Sequence, residues 1–169
     1  KTEHGQITRE HPPPAMTSVA FDPGSGTEAT VFTCQPSGWS DIDNVTPGYP
    51  WQWTVNTVPW VNTQTFDGAG FSVGDIIECT ATPFDGSDPG TPQTSAQVTV
   101  GNTAPAITSV AIDPGSGTEA TVFTCQPSGW SDIDNDTPGY TWQWTVNTVP
   151  SVTTQTIDGA DFSVGDIIE

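Results

Sequence analysis

Basic residues are almost missing from this chain: two, against 20 acidic residues, for a net charge of −18 at pH 7. They are Lys1 and Arg9, so nothing beyond residue 9 carries a cationic side chain. Nucleic acid and anionic membrane surfaces are bound mainly through Lys and Arg, so neither is expected as a partner. Histidine is equally scarce, with His4 and His11 both near the N-terminus. Beyond them no Ser-His-Asp or Cys-His set can be assembled, and no Lys or Arg is present to steady a developing anion. Paired carboxylates such as Asp41 and Asp43 have no cleft signal beside them that would point to acid-base hydrolysis. Gly24-Ser25-Gly26 runs into Thr27, Glu28 and a strand, where a phosphate-binding loop needs a helix. The chain therefore reads as non-enzymatic. No apolar run approaches the roughly 18 residues of a membrane-spanning helix, so no membrane insertion is expected in this segment. Helical periodicity is missing too, and 17 Gly with 16 Pro interrupt the chain too often for long helices.

What the chain does have is itself twice. Pro14 to Glu78 lies over Pro105 to Glu169 without a gap, at a spacing of 91 residues, and only eight of the 65 pairs differ. Met16/Ile107, Phe21/Ile112 and Phe66/Ile157 keep apolar character, while Val45/Asp136, Trp60/Ser151, Asn62/Thr153 and Gly70/Asp161 are expected at the surface. Pro50/Thr141 falls at the entrance to a strand. A period this long exceeds that of helical and leucine-rich solenoids and suits a self-contained β-sandwich repeated in series. Seven Trp, seven Phe and alternating strands argue against disorder. The one-sided charge fits a saline or cation-rich setting, where ions offset self-repulsion.

The same shift of 91 residues lays Gln6-Ile7-Thr8 over Gln97-Val98-Thr99. Residues 1–11 are therefore expected to be the last strand of an upstream module or a donor strand, 12–102 a complete module, and 103–169 a second module incomplete at its C-terminus. Counterparts of Cys79 to Gly101 are absent from the second copy. A continuous chain of further repeats would complete it, and so would a strand donated by a neighbouring copy; either way Ile7 is expected to face a core.

Periodicity within the complete copy is that of strands. Met16, Val19 and Phe21 lie among polar residues before the turn at Asp22-Pro23-Gly24, and Phe32 and Cys34 share a face in Thr30 to Cys34. Trp51 and Trp53 share a face of a third strand, Ile77 and Cys79 one of a later strand, and Ala96, Val98 and Val100 one of the last. The expected fold class is all-β.

The order Cys34, then Trp51 and Trp53, then Cys79 preceded by Gly74-Asp75-Ile76-Ile77-Glu78, resembles the immunoglobulin-like β-sandwich. Gly38-Trp39-Ser40-Asp41-Ile42-Asp43-Asn44, leading into Tyr49-Pro50-Trp51-Gln52-Trp53, is similar to the Asp-rich loop and following strand of polycystic-kidney-disease-type and cadherin-like repeats of large cell-surface proteins. Ile77 departs from the antibody pattern, which often has Tyr there. The resemblance implies tandem immunoglobulin-like modules with a disulfide between Cys34 and Cys79, worth about 4 kcal/mol by loop closure. An oxidising, extracellular or cell-surface location follows from that pairing. Cys125, the counterpart of Cys34, has no partner within the sequence.

The loops allow two further chemistries. Asp132, Asp134 and Asp136 alternate, and three carboxylates so spaced can turn oxygens toward one calcium ion. The upstream loop has Asp41 and Asp43 but Val45. Asp22, Glu28 and Asp75 of the preceding module are expected to help from across a joint, stiffening a rod as the cadherin-like resemblance implies; a plainly solvated acidic loop is the other reading. Asn44-Val45-Thr46 and Asn135-Asp136-Thr137 are glycosylation sequons, and a glycan on Asn135 would compete with a metal there. The function expected is a structural repeat forming or extending a fibre, sheath or stalk, self-associating in series with further copies. The alternative is an adhesin or glycan-binding module using Trp39 or Trp60 as a platform for sugar rings.

Overall fold

The computed structural model describes residues 11–169, so the expectation placed on Ile7 lies outside the described residues. The chain divides into two compact units, Lys1–Thr103 and Ala104–Glu169. All regular structure among the described residues is β-strand, arranged in several sheets, as the alternation in the sequence requires.

In the first unit, β1 (Ser18–Asp22), β2 (Phe32–Ser37) and β5 (Thr65–Phe66) form one antiparallel sheet in the order β1-β2-β5. The other contains β3 (Trp51–Val55), β4 (Val58–Pro59), β6 (Ile76–Ala81) and β7 (Gln93–Thr94) in the order β4-β3-β6-β7, with β8 (Val98–Thr99) also paired to β6. Period-two alternation points Val19 and Phe21, Phe32 and Cys34, Trp53 and Val55, and Ile77, Cys79 and Ala81 into a common core. Aromatic rings dominate it: Phe21 meets Phe32 edge-on at 5.5 Å, and Trp53 lies 5.4 Å from Phe66. The Trp53 indole N–H donates to the Thr63 carbonyl at 2.9 Å, which satisfies the one polar atom of a buried ring. Cys34 and Cys79 are disulfide-bonded, joining β2 of one sheet to β6 of the other.

Turn chemistry sets where the strands stop. Asn56 and Thr57 connect β3 to β4 with φ of 50° and 70°, the left-handed pair that a two-residue hairpin needs. The Asn56 side chain also clamps the hairpin to β6, accepting from the Ile76 N–H at 3.0 Å and donating to Asp75 at 2.7 Å. β2 begins at Phe32 rather than Thr30, because Thr30 closes a turn: its N–H donates to the Thr27 carbonyl and its hydroxyl accepts from the Thr27 N–H, both at 2.9 Å. The last strand also departs from simple alternation. Ala96 is exposed and Ser95 is buried instead, since the Ser95 hydroxyl accepts from the Cys79 N–H at 3.0 Å and donates to the Ala96 carbonyl at 2.9 Å. That insertion breaks the segment into β7 and β8.

The second unit has β9 (Ser109–Asp113), β10 (Phe123–Ser128) and β13 (Thr156–Ile157) in one sheet, ordered β13-β10-β9, and β11 (Thr145–Val146) with β12 (Val149–Pro150) as a hairpin. Its buried core is three residues, Phe123, Trp144 and Ile157. Trp142 to Val146 has the same sequence as β3, yet only Thr145 and Val146 form a strand. In the first unit the residues paired with Trp51 and Trp53 are Ala81 and Cys79, whose counterparts the second unit lacks.

Candidate functional site

Three places carry chemistry, and the first is the acidic loop after β2. Asp41 accepts from the N–H of Asp43 at 2.9 Å, and Asp132 from that of Asp134 at 2.8 Å, so each carboxylate closes a tight turn. The remaining oxygen of Asp41 and of Asp132 is buried and makes no hydrogen bond. Asp136 is exposed. Asn44 and Asn135, the sequon residues, are exposed in the same loops with φ of 56° and 60°.

In the first unit the loop stands where the chain enters, tied by the Ala15–Ser40 bridge. His11 lies beside it, with Nε2 3.5 Å from Asp43 and Nδ1 3.1 Å from Asp85. Asp85 is buried and accepts from the N–H groups of Ser87 at 2.7 Å and Asp88 at 2.8 Å. The Asp88 N–H, followed by that of Ser87 and by His11, holds this carboxyl below the usual range, while burial works the other way. Sequence reasoning passed over both His11 and Asp85. The run Asp85-Gly86-Ser87-Asp88 is an Asx-turn pattern, a signal of a loop that carries no sign of burial.

Glu28 and Asp75 come together at the opposite end, where the chain leaves through the Thr27–Gly101 bridge. Both serve as caps for one turn: Ser72 N–H donates to Asp75 at 2.8 Å and Val73 N–H to Glu28 at 3.1 Å. Asp22 is exposed at the end of β1 and takes no part in it. The second unit repeats the pattern, with Ser163 donating to Asp166 at 2.8 Å and Val164 to Glu119 at 3.0 Å. The Ser163 N–H and then the Asn147 side chain hold the Asp166 carboxyl below its usual range. Among the described residues no three acidic, His or Cys groups gather to hold a metal ion.

The second place is a shallow groove of about 340 Å³ beside Trp60, walled by Val61, Thr63, Phe66 and Asp67 and floored by Gly70. Trp60 is 56% exposed. Trp39, the other candidate platform, belongs to a row: it meets Tyr49 edge-on at 5.6 Å, and Tyr49 leans on Trp51 at 5.5 Å. Trp130, Tyr140 and Trp142 repeat that row. Trp39 is half-buried and reaches the core only through Tyr49 and Trp51, which pack against it.

The third is an apolar groove in the second unit. Ile112, Phe123, Phe162 and Ile168 line a groove of about 420 Å³, with Glu119 and Asp166 also bordering it. Val110 is 56% exposed against 8% for Val19, its counterpart, and Ile107 is 42% exposed against 6% for Met16. Compared with family models, curated proteins and solved structures, the chain matches none.

Proposed function

We propose that this chain belongs to a non-enzymatic extracellular structural protein, in which immunoglobulin-like β-sandwich modules follow one another in series as a fibre, sheath or stalk. The observation that carries the proposal is the near-identity of residues 14–78 and 105–169, in which only eight of 65 pairs differ. Repetition of a whole module adds length and surface, whereas a reaction site needs one constellation. The Cys34–Cys79 disulfide supports an extracellular or cell-surface location, because such bonds persist in oxidising compartments. An acidic surface without Lys or Arg in the repeats supports solubility in a saline medium and disfavours collapse of one module onto the next. The test is small-angle scattering on arrays of increasing repeat number. Maximum dimension should rise by a constant increment per repeat, and a dimension that saturates would reject the rod.

Calcium at the joints is part of this proposal, because Glu28 and Asp75 sit at the exit of the first unit and Asp41 and Asp43 at its entrance. Chelation should lower the stiffness of an array without melting its modules. Glycans on Asn44 and Asn135 belong to the same picture, and intact mass of native material reads them directly.

One observation favours a second reading as an adhesin or glycan binder: the exposed Trp60 indole with Thr63 and Asp67 along one groove. An aromatic face with polar neighbours is the usual arrangement for stacking a sugar ring. Glycan-array binding that disappears in Trp60→Ala would establish it.

A further inference from the structure

Four of the eight positions at which the copies differ fall within residues 60–70 of the first: Trp60/Ser151, Asn62/Thr153, Phe66/Ile157 and Gly70/Asp161. The backbone that carries them is the same in both. Trp60 N–H donates to the Trp53 carbonyl at 2.9 Å, and Ser151 N–H to that of Trp144 at 2.8 Å. Ala69 N–H donates to the Asp67 carboxylate at 3.2 Å and Ala160 N–H to that of Asp158 at 3.0 Å, while the N–H groups of Gly70 and Asp161 reach the carbonyls of the same two aspartates at 3.1 and 2.9 Å. The Trp53 and Trp144 indoles both donate at 2.9 Å, to the Thr63 and Thr154 carbonyls. Phe66 and Ile157 are both buried. The exchange therefore keeps the frame and changes what stands on it.

In the first copy the exposed indole of Trp60 borders the groove, and Gly70 keeps the space beneath it, because a side chain there would run into both the indole and the Phe66 ring. In the second, Ser151 offers no ring and Asp161 places a half-buried carboxylate where the first has only hydrogen. The groove also has polar groups to spare. Among the described residues the Trp60 indole N–H and the Thr65 hydroxyl have no partner, and Asp67 gives one carboxylate oxygen to Ala69 and leaves the other unpaired. An apolar ring flanked by a donor, a hydroxyl and a carboxylate oxygen matches a pyranose, which carries C–H groups on its faces and hydroxyls around its rim. Asp67 is the only charged group on the walls and the repeats contain no Lys or Arg, so a sugar bearing carboxylate or sulfate meets repulsion and no counter-charge.

We propose that the Trp60 groove is a seat for a neutral pyranose ring, and that residues 60, 62, 66 and 70 act as one set that decides which copies of the repeat have it. Copies of the first type bind, and copies of the second type serve as spacers. The inference deepens the glycan-binding reading and rests on it.

The test uses the full chain on an array of neutral oligosaccharides with their sialylated and sulfated forms, and native mass spectrometry with the best neutral oligosaccharide to count the sites. Neutral glycans should bind, with one site per chain. A variant carrying Trp60→Ser, Asn62→Thr, Phe66→Ile and Gly70→Asp has the set that the second copy already holds on the same frame, and its binding should fall at least about tenfold, the order expected for losing a stacked ring. Asp67→Asn keeps an acceptor for the Ala69 N–H and should also weaken binding, without disturbing the core. Neutral glycan binding that survives both changes, or two sites per chain, overturns the copy-specific seat while the glycan reading stands. Binding confined to sialylated or sulfated glycans, or displaced by choline and not by free hexose, overturns the neutral ligand. Absence of binding to every glycan on the array rejects the glycan reading itself and this inference with it.

Discussion

The indole of Trp60 lies over Gly70 so closely that a Cβ at that position would sit 2.6 Å from Nε1. Phe66 closes the other side of Gly70. These three positions are three of the eight that differ between the copies, as Ser151, Ile157 and Asp161 in the second. A side chain at residue 70 requires a smaller residue at 60 and at 66, so the differences form one linked change. Gly70→Asp should therefore destabilise the first unit by about 1–3 kcal/mol, the usual cost of overpacking. Adding Trp60→Ser and Phe66→Ile should restore most of that loss. Denaturant melts of the three variants measure the coupling directly.

Asn56 bonds Ile76 and Asp75 while holding a φ of 50°. Asn56→Gly keeps the backbone conformation and loses the side-chain bonds, at a cost of about 1–2 kcal/mol. Asn56→Ala adds the strain of a left-handed residue and should cost more than the glycine variant. An equal loss in both would show that the clamp, and not the turn, sets the stability of the hairpin.

Acid should weaken the two units through different carboxylates. Asp85 and Asp166 both have folded pKa values below the ordinary one. Each therefore contributes its full stabilisation above about pH 4 and loses it as pH falls through that value toward the folded pKa. Asp85→Asn should flatten the acid limb of the first unit alone, and Asp166→Asn that of the second. Unfolding by denaturant across a pH series from neutral to strongly acidic checks both slopes.

Reduction should separate the units further. Breaking Cys34–Cys79, which closes a loop across 45 residues of sequence, should remove about 4 kcal/mol from the first unit. The second has no disulfide to lose. Melting followed by tryptophan fluorescence with and without reductant should show one transition move and the other stay.

Strand periodicity is a local property, because successive side chains alternate faces whatever lies opposite, and so the all-β class was legible in the sequence. The same alternation placed Phe32, Cys34, Trp53, Ile77 and Cys79 in the core, where all five are fully buried. Cys34 and Cys79 came from a resemblance of pattern, and the disulfide is there. The acidic excess and the lack of Lys and Arg in the repeats needed no structure at all. Other features were decided only when distant segments met. Ser95 rather than Ala96 turns inward because the Cys79 N–H, 16 residues away, needs its hydroxyl. His11 carries no sign in the sequence of its approach to Asp85, and Gly70 none of the indole above it. The clearest case is Trp-Gln-Trp-Thr-Val, a full strand at residues 51–55 and a two-residue strand at 145–146 of its second copy. Val19 and Val110 likewise share one local sequence, Thr-Ser-Val-Ala, and differ in exposure. Local sequence decides which way a side chain points, but a strand needs a partner for its hydrogen bonds and a core needs an opposite face, and both come from elsewhere in the chain.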